Sequence, residues 1–257
     1  MTRLAGKSAY VTGGGHGIGR GISLSLAKEG ASVLVADIDY AAARNVVDEI
    51  KRLGQRAEAI SVDVTQPENI DAMGGFAVAQ FGQLDIAVHS AGVISVRPVE
   101  ELTHAEWDRV MDINAKGVFM CCKAVIPLLK RNGGGRIINI ASISGKDGYP
   151  GLAHYSASKY AVIGFTNSLA KELAKDEITV NAICPGIVRT AMWDLLSDEW
   201  KGDGESLEES WQRQILTFVP QGRPQTPEDI GDLAVYLSLA RNMTGQAINL
   251  DGGLTSH

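Results

Sequence analysis

Residues 8–19 read SAYVTGGGHGIG, and RGISLSL follows at 20–26. A short apolar run leads into a glycine-rich turn. Ile18, Ile22 and Leu26 then recur every four residues, the spacing of one helix face. Glycines at 13, 17 and 19 let the backbone turn tightly and come close to a pyrophosphate. The helix behind them offers that anion its free N–H groups and its positive end. A glycine pattern alone is a weak sign; it gains meaning from a strand before it and a helix after it within one βαβ unit. The spacing here is G-x-x-x-G-x-G instead of the commoner G-x-G-x-x-G. His16 and Ile18 lie among its glycines as further candidate cofactor contacts.

The alternation that starts at this turn runs to the end of the chain. Strand candidates are SAYVTG (8–13), SVLVAD (32–37), AEAISVDV (57–64), LDIAVHSAG (84–92), RIINIAS (136–142), TVNAICPG (179–186) and QAINLDGG (246–253). Each is apolar almost throughout, as expected of a strand covered on both faces. Helical spacing lies between them, as at Val162, Phe165, Leu169 and Leu173. The order predicts an α/β fold: a doubly wound parallel sheet with helices on both faces and right-handed crossovers. No repeat, low-complexity tract or linker divides the 257 residues, so one domain over 1–257 is expected.

The second strand ends at Asp37, 24 residues beyond Gly13. A carboxylate there can accept from the ribose hydroxyls of NAD and repels the extra phosphate of NADP. No Arg or Lys stands beside it, and His16 is not a permanent cation, so NAD is preferred over NADP. At the end of the third strand, Asp63 and Val64 are placed to flank the adenine.

Composition narrows the partners. The chain is 45% hydrophobic and 21% charged, and has no apolar run long enough to cross a bilayer. The opening MTRLAGKSAYVTGGG carries no secretion signal, so a cytoplasmic setting is expected. A net charge of −6 argues against nucleic acid, and gives no reason to expect anionic membranes. RNGGGR at 131–136 reads as a solvated helix-to-strand turn. Cys121, Cys122 and Cys184 have no metal-ligand spacing and sit in apolar stretches, as reduced buried thiols do. The histidines, at 16, 89, 104, 154 and 257, are scattered, so no metal site is expected.

Residues 155–159 read YSASK, which places Tyr155 one helical turn ahead of Lys159. A phenol ordinarily loses its proton near pH ~10, and an adjacent cation pulls that value down. Such pairs are also common on helix surfaces, so the pair needs the rest of the chain to give it a role.

TGGGHGIG, YSASK, PGIVRT at 185–190 and the closing MTGQAINLDGG together resemble the short-chain dehydrogenase/reductase family over essentially the whole chain. The resemblance implies a Rossmann-type sheet of seven parallel strands, a homotetramer, and NAD(P)-dependent alcohol–ketone interconversion. It implies Asn114, Ser142, Tyr155 and Lys159 as the catalytic set. Tyr155 would be the acid/base and Lys159 would lower its pKa and hold the nicotinamide ribose. Ser142, thirteen residues before Tyr155, would hold the substrate oxygen, with Ser144 as the alternative. Asn114 would tie a water to the lysine, or else satisfy a helix irregularity. Pro185 and Gly186 would face the cofactor, and Val188 and Thr190 would bind the carboxamide. The family's NNAG is HSAG here: Ala91 and Gly92 keep the approach to the adenosine ribose, while His89 replaces the Asn that stitches neighbouring strands.

Residues 191–222 depart from the rhythm and hold Trp193, Trp200 and Trp211. Met192, Leu195, Leu196 and Trp200 can share one helical face, as can Leu207, Trp211 and Ile215. The segment reads as a helical substrate lid jointed at KGDGES. Ile143, Asp147, His154, Met192 and Trp193 are candidate pocket residues, with Arg97 at the mouth; His154 and Asp147 would read extra hydroxyls. PGIVRT through AMW is similar to acetoin (diacetyl) reductases and butanediol dehydrogenases, with polyol dehydrogenases close in organisation. The expected substrate is therefore a small polyol, diol or hydroxyketone. An NADPH-dependent reductase of 3-oxoacyl thioesters or bulky ketones is the alternative, and a non-catalytic NAD-binding sensor the third.

Overall fold

The computed structural model describes residues 2–256, so His257 lies outside the described residues. In chain order the elements begin β1 (Ser8–Thr12), α1 (Gly17–Lys28), β2 (Ser32–Asp37), α2 (Tyr40–Arg52), β3 (Ala57–Ser61), α3 (Pro67–Phe81) and β4 (Ile86–His89). Then come α4 (His104–Met111), a π-helical turn (Asp112–Lys116), α5 (Gly117–Arg131), β5 (Gly135–Ile140), α6 (Ala153–Leu173) and β6 (Ile178–Pro185). The chain closes with α7 (Ala191–Glu199), α8 (Leu207–Phe218), α9 (Pro227–Leu239) and β7 (Ala247–Leu250). The seven strands pair in parallel in the order β3-β2-β1-β4-β5-β6-β7. This is the doubly wound Rossmann-type sheet that the alternating pattern predicts.

Successive side chains on a strand face opposite ways, and the core divides accordingly. Ala9, Val11, Val33, Val35, Ile86 and Val88 pack with Ile22 and Leu26 of α1, Val46 and Ile50 of α2, and Ile230 of α9. Tyr10, Leu34, Ala87, Ile137 and Val180 pack on the other face with Met73 of α3, Val125 of α5 and Leu169 of α6. Cys121, Cys122 and Cys184 are free and buried. No described helix is long and apolar enough to cross a membrane.

Several strands stop short of the apolar runs. β3 ends at Ser61 and not at residue 64, β4 at His89 and not at 92, β5 at Ile140 and not at 142. Beyond those points the chain leaves the ladder as loops at the carboxyl end of the sheet. The topology reverses between β1 and β4, and such a switch point opens a crevice there. The residues that overrun the strands are the ones that line it.

Candidate active site

The turn after β1 is built to stay open. His16, the residue before α1, is extended and its side chain makes no capping bond, so the helix's first N–H groups are not taken by it. Gly13 and Gly17 have φ of 62° and 44°, a left-handed backbone that side chains rarely adopt. A Cβ on Gly13 would stand 2.8 Å from Cα of Ala91. Thr12 Oγ1 accepts from the N–H groups of Ser90 (3.1 Å) and Ala91 (3.3 Å), which fastens the turn to the loop after β4.

Asp37 is buried at the end of β2. Its Oδ2 accepts from Gly15 N at 2.9 Å and its Oδ1 from Asp39 N at 3.0 Å, so backbone donors aim the carboxylate at the crevice. His16 lies 3.8 Å from Asp37 and 3.9 Å from Asp39, an acidic rim to which no Arg or Lys among the described residues is paired. Asp63 Oδ1 accepts from Thr65 N–H and hydroxyl, which holds the loop after β3.

His89 keeps the stitching role by other means. Tyr10 Oη and His89 Nε2 are 2.8 Å apart, as are His89 Nδ1 and Asn139 Oδ1, and Asn139 Nδ2 donates to Thr166 Oγ1 at 2.9 Å. One imidazole thus joins β1, β4 and β5 and, through Asn139, α6. Burial pushes its pKa down to about 4, so it is neutral here.

Tyr155 and Lys159 sit one turn apart on α6, both buried. Lys159 Nζ donates to the Ile140 carbonyl at 3.0 Å and lies 5.6 Å from the centre of the Tyr155 ring. The expectation that the lysine depresses the phenol's pKa is corrected in this structure. Burial pushes Tyr155 up to about 12, opposed only by a hydrogen-bonding influence of Ser142. Burial also pulls Lys159 down to about 8. Desolvation dominates because the phenol is buried, while the ammonium spends a hydrogen bond on the Ile140 carbonyl. Burial therefore holds Tyr155 as a neutral phenol.

Ser142 begins a short 3-10 turn at Ile143–Gly145, and its Oγ accepts from Ser144 N at 3.1 Å. Asn114 is fully buried in the π-helical turn between α4 and α5. It accepts from Val93 N (2.8 Å) and donates to Val93 O (2.9 Å) and Ser158 Oγ (3.1 Å). It flanks Gly92 opposite Lys159: a Cβ there would be 3.3 Å from Asn114 Oδ1 and 3.6 Å from Lys159 Nζ.

One cleft of about 890 Å³ brings these groups together. Its lining includes Gly13, His16, Gly17, Ile18, Gly19, Asp37, Asp63, Val64, Ala91, Gly92, Ser142, Tyr155, Lys159, Pro185, Gly186, Val188 and Thr190. Ile143, Ser144, Met192 and Trp193 line it too. Thr190 caps α7, its Oγ1 accepting from Trp193 N and donating to Val188 O at 3.4 Å. Three polar expectations fail. His154 is fully buried beneath the wall and binds Ser95 Oγ at 2.8 Å, outside the lining. Asp147 is exposed and turned to Gly148 N, and Arg97 is exposed and paired with Glu106; neither lines the cleft. Helical spacing also misplaced Leu195, which is 41% exposed, and Leu207, which is 37% exposed, while Leu196, Trp211 and Ile215 are buried.

Sequence reasoning missed Val93, Ile94, Tyr149, Leu152, Phe218 and Leu254, all of which line the cleft. They come from loops and element ends with no periodicity to mark them. Only position beside a motif, as with Leu152 three residues before Tyr155, could have pointed to them.

A parallel sheet whose switch point holds a glycine turn, an anchored carboxylate and a buried Tyr–Lys pair is a dinucleotide-dependent oxidoreductase in design. The short chain dehydrogenase family model matches residues 7–200. The chain is 41% identical over 254 residues to a 3-oxoacyl-acyl-carrier-protein reductase of Staphylococcus aureus, covering 96% of this chain and 98% of that one. It is 38% identical over 252 residues to a diacetyl reductase, (S)-acetoin forming, of Staphylococcus epidermidis, with the same coverage. A crystal structure of a short-chain type dehydrogenase/reductase from Mycobacterium marinum superposes with a TM-score of 0.90 at 36% identity, covering 98% of this chain and 96% of that chain. The chain belongs to the short-chain dehydrogenase family, and is an NAD(P)-dependent oxidoreductase of the alcohol–ketone kind.

Proposed function

We propose that the protein interconverts a secondary alcohol and its ketone on an uncharged metabolite-sized molecule, with NAD preferred over NADP. The observation that carries this reading is the buried Tyr155 phenol beside Ser142 at the end of a cleft that begins at Asp37. The residues fit a nicotinamide dinucleotide. Gly13 and Gly17 form a turn no side chain could enter without strain, α1 points its unshared N–H groups at it, and Asp37 marks the ribose end. When bound, that cofactor supplies or accepts the hydride. Tyr155 gives its proton to the carbonyl oxygen in reduction and takes it back in oxidation. Ser142 steadies the charge developing on that oxygen, and Lys159 supports the pair from beneath.

Asn114, Ser142, Tyr155 and Lys159 are the proposed catalytic set, with Asn114 positioning Val93 and α6. α7 and α8 are proposed as the substrate lid, hinged through residues 201–206. Exposed aromatics at Trp107, Phe119, Tyr160 and Tyr236 support assembly into a homotetramer, and three unpaired thiols support a cytoplasmic setting. The diacetyl reductase likeness supports a free ketone as the substrate class. The missing hydroxyl readers, His154 and Asp147, weigh against a polyol. The oxoacyl reductase likeness keeps a 3-oxoacyl thioester as the second reading, against which the acidic rim at Asp37 and Asp39 stands.

Tyr155→Phe tests the reading. It should cut kcat by at least 100-fold with NADH binding, followed by fluorescence, kept within a few-fold. Retained turnover would rule out Tyr155 as the proton donor.

A further inference from the structure

Resting on that alcohol–ketone reading, we infer that the preferred substrate carries a bulky, apolar, ring-sized substituent, and that Met192, Trp193 and Trp200 select it. Tyr155, Ser142 and Ser144 supply the hydroxyls at this end of the cleft. The apolar wall begins at once: Met192 Sδ lies 4.0 Å from Tyr155 Oη. Trp193 and Trp200 meet edge to face, 6.1 Å between centres at 81°, and pack with Leu196 of α7 and with Leu152 and Tyr149 from the other side. Such a pair holds its rings in fixed orientation and presents flat apolar surface.

Two of these residues look polar and are not polar toward the cleft. Tyr149 Oη and Trp193 Nε1 are both sealed from water, so the surface each shows is ring carbon. His154, next to Tyr155 in sequence, bonds Ser95 through Nε2 and is fully buried below the wall. Among the charged lining residues, His16, Asp37 and Asp63 belong to the glycine-turn end. Lys159 is buried under Tyr155, and Arg109 sits on the exposed side of α4. A hydroxyl pressed against the Met192–Trp193–Trp200 wall gives up its water and finds no acceptor, a loss of roughly 5- to 150-fold per group. A ring there gains by leaving water.

A kinetic panel with both NADH and NADPH tests this. It compares cyclohexyl methyl ketone and 4-phenyl-2-butanone with acetoin, diacetyl and the acetoacetyl thioester of N-acetylcysteamine, and runs xylitol and sorbitol in the oxidative direction. The ring-bearing ketones should exceed acetoin and diacetyl at least tenfold in kcat/KM. Trp193→Ala should lower the ratio of kcat/KM for the ring ketones to that for acetoin 10- to 100-fold. Trp193→Leu serves the same purpose if the alanine variant does not fold. Highest kcat/KM with a polyol, acetoin, diacetyl or the thioester overturns the inference and leaves the alcohol–ketone reading standing. An equal loss on every substrate in the tryptophan variant removes Trp193 as a selector. No turnover of any carbonyl or alcohol, with NADH still bound, overturns the underlying reading itself.

Discussion

Asp37 and His89 show how much one side chain carries. Asp37→Asn keeps an acceptor for Gly15 and removes the charge that would face a 2′-phosphate. The ratio of kcat/KM with NADP to that with NAD should rise at least tenfold, and an unchanged ratio would mean that the ribose is read elsewhere. For His89 the sign follows from its held-down pKa. The unfolded chain takes up a proton below about 6.5, while the folded one resists until about 4. Stability contributed by the neutral imidazole is present above pH ~6.5 and is lost as pH falls toward 4, about 3 kcal/mol in all. Urea midpoints of the wild type and His89→Asn, compared from pH 7 to 4, should converge as pH drops. Parallel curves would show that His89 is not the acid-sensitive group. Asp37 was legible in the sequence as a strand-end carboxylate after a glycine turn. The His89 network was not, because Tyr10, Asn139 and Thr166 meet it only across three strands and a helix.

Periodicity located the elements well and their edges less well. α6 buries Val162, Leu169 and Leu173 as spaced, yet α7 turns Leu195 outward, because a nine-residue helix leaves its apolar stripe poorly determined. Glycines inside helices carry information that spacing does not. A Cβ on Gly231 of α9 would overlap Ser25 Oγ and come 2.9 Å from the Gly21 carbonyl oxygen, so α1 and α9 pack backbone to backbone. Gly231→Ala should destabilise by about 1–3 kcal/mol despite its better helix propensity. Gly75 of α3 has open space around its missing Cβ, so Gly75→Ala should stabilise by about 0.5–1 kcal/mol. Paired denaturation curves separate the two; stabilisation by both would mean that the α1–α9 contact is looser than described.

For the molecule as a whole, the sheet was readable, and so was the gathering of the motif residues in one cleft, since motifs mark the strands' carboxyl ends. The apolar wall of the cleft was less so: Tyr149, Leu152 and Leu254 sit in irregular backbone, assembled from distant stretches. The proposed tetramer is checked by light scattering, where a mass near four times the 27.3 kDa chain is expected and a single-chain mass would refute it. The strand order also has a bearing on how the chain is made. β1 lies inside the sheet, but its β4 neighbour begins only at Ile86. At about 5–20 residues per second, a ribosome leaves one edge of that strand bare for several seconds after the β1–β2–β3 half can pair. From β4 onward each new strand docks on the one made before it. Docking of residues 86–89 covers that edge and passes the bare edge to β4, which waits longer still, until Gly135 opens β5, so the nascent protein carries an open sheet edge from strand to strand as it emerges.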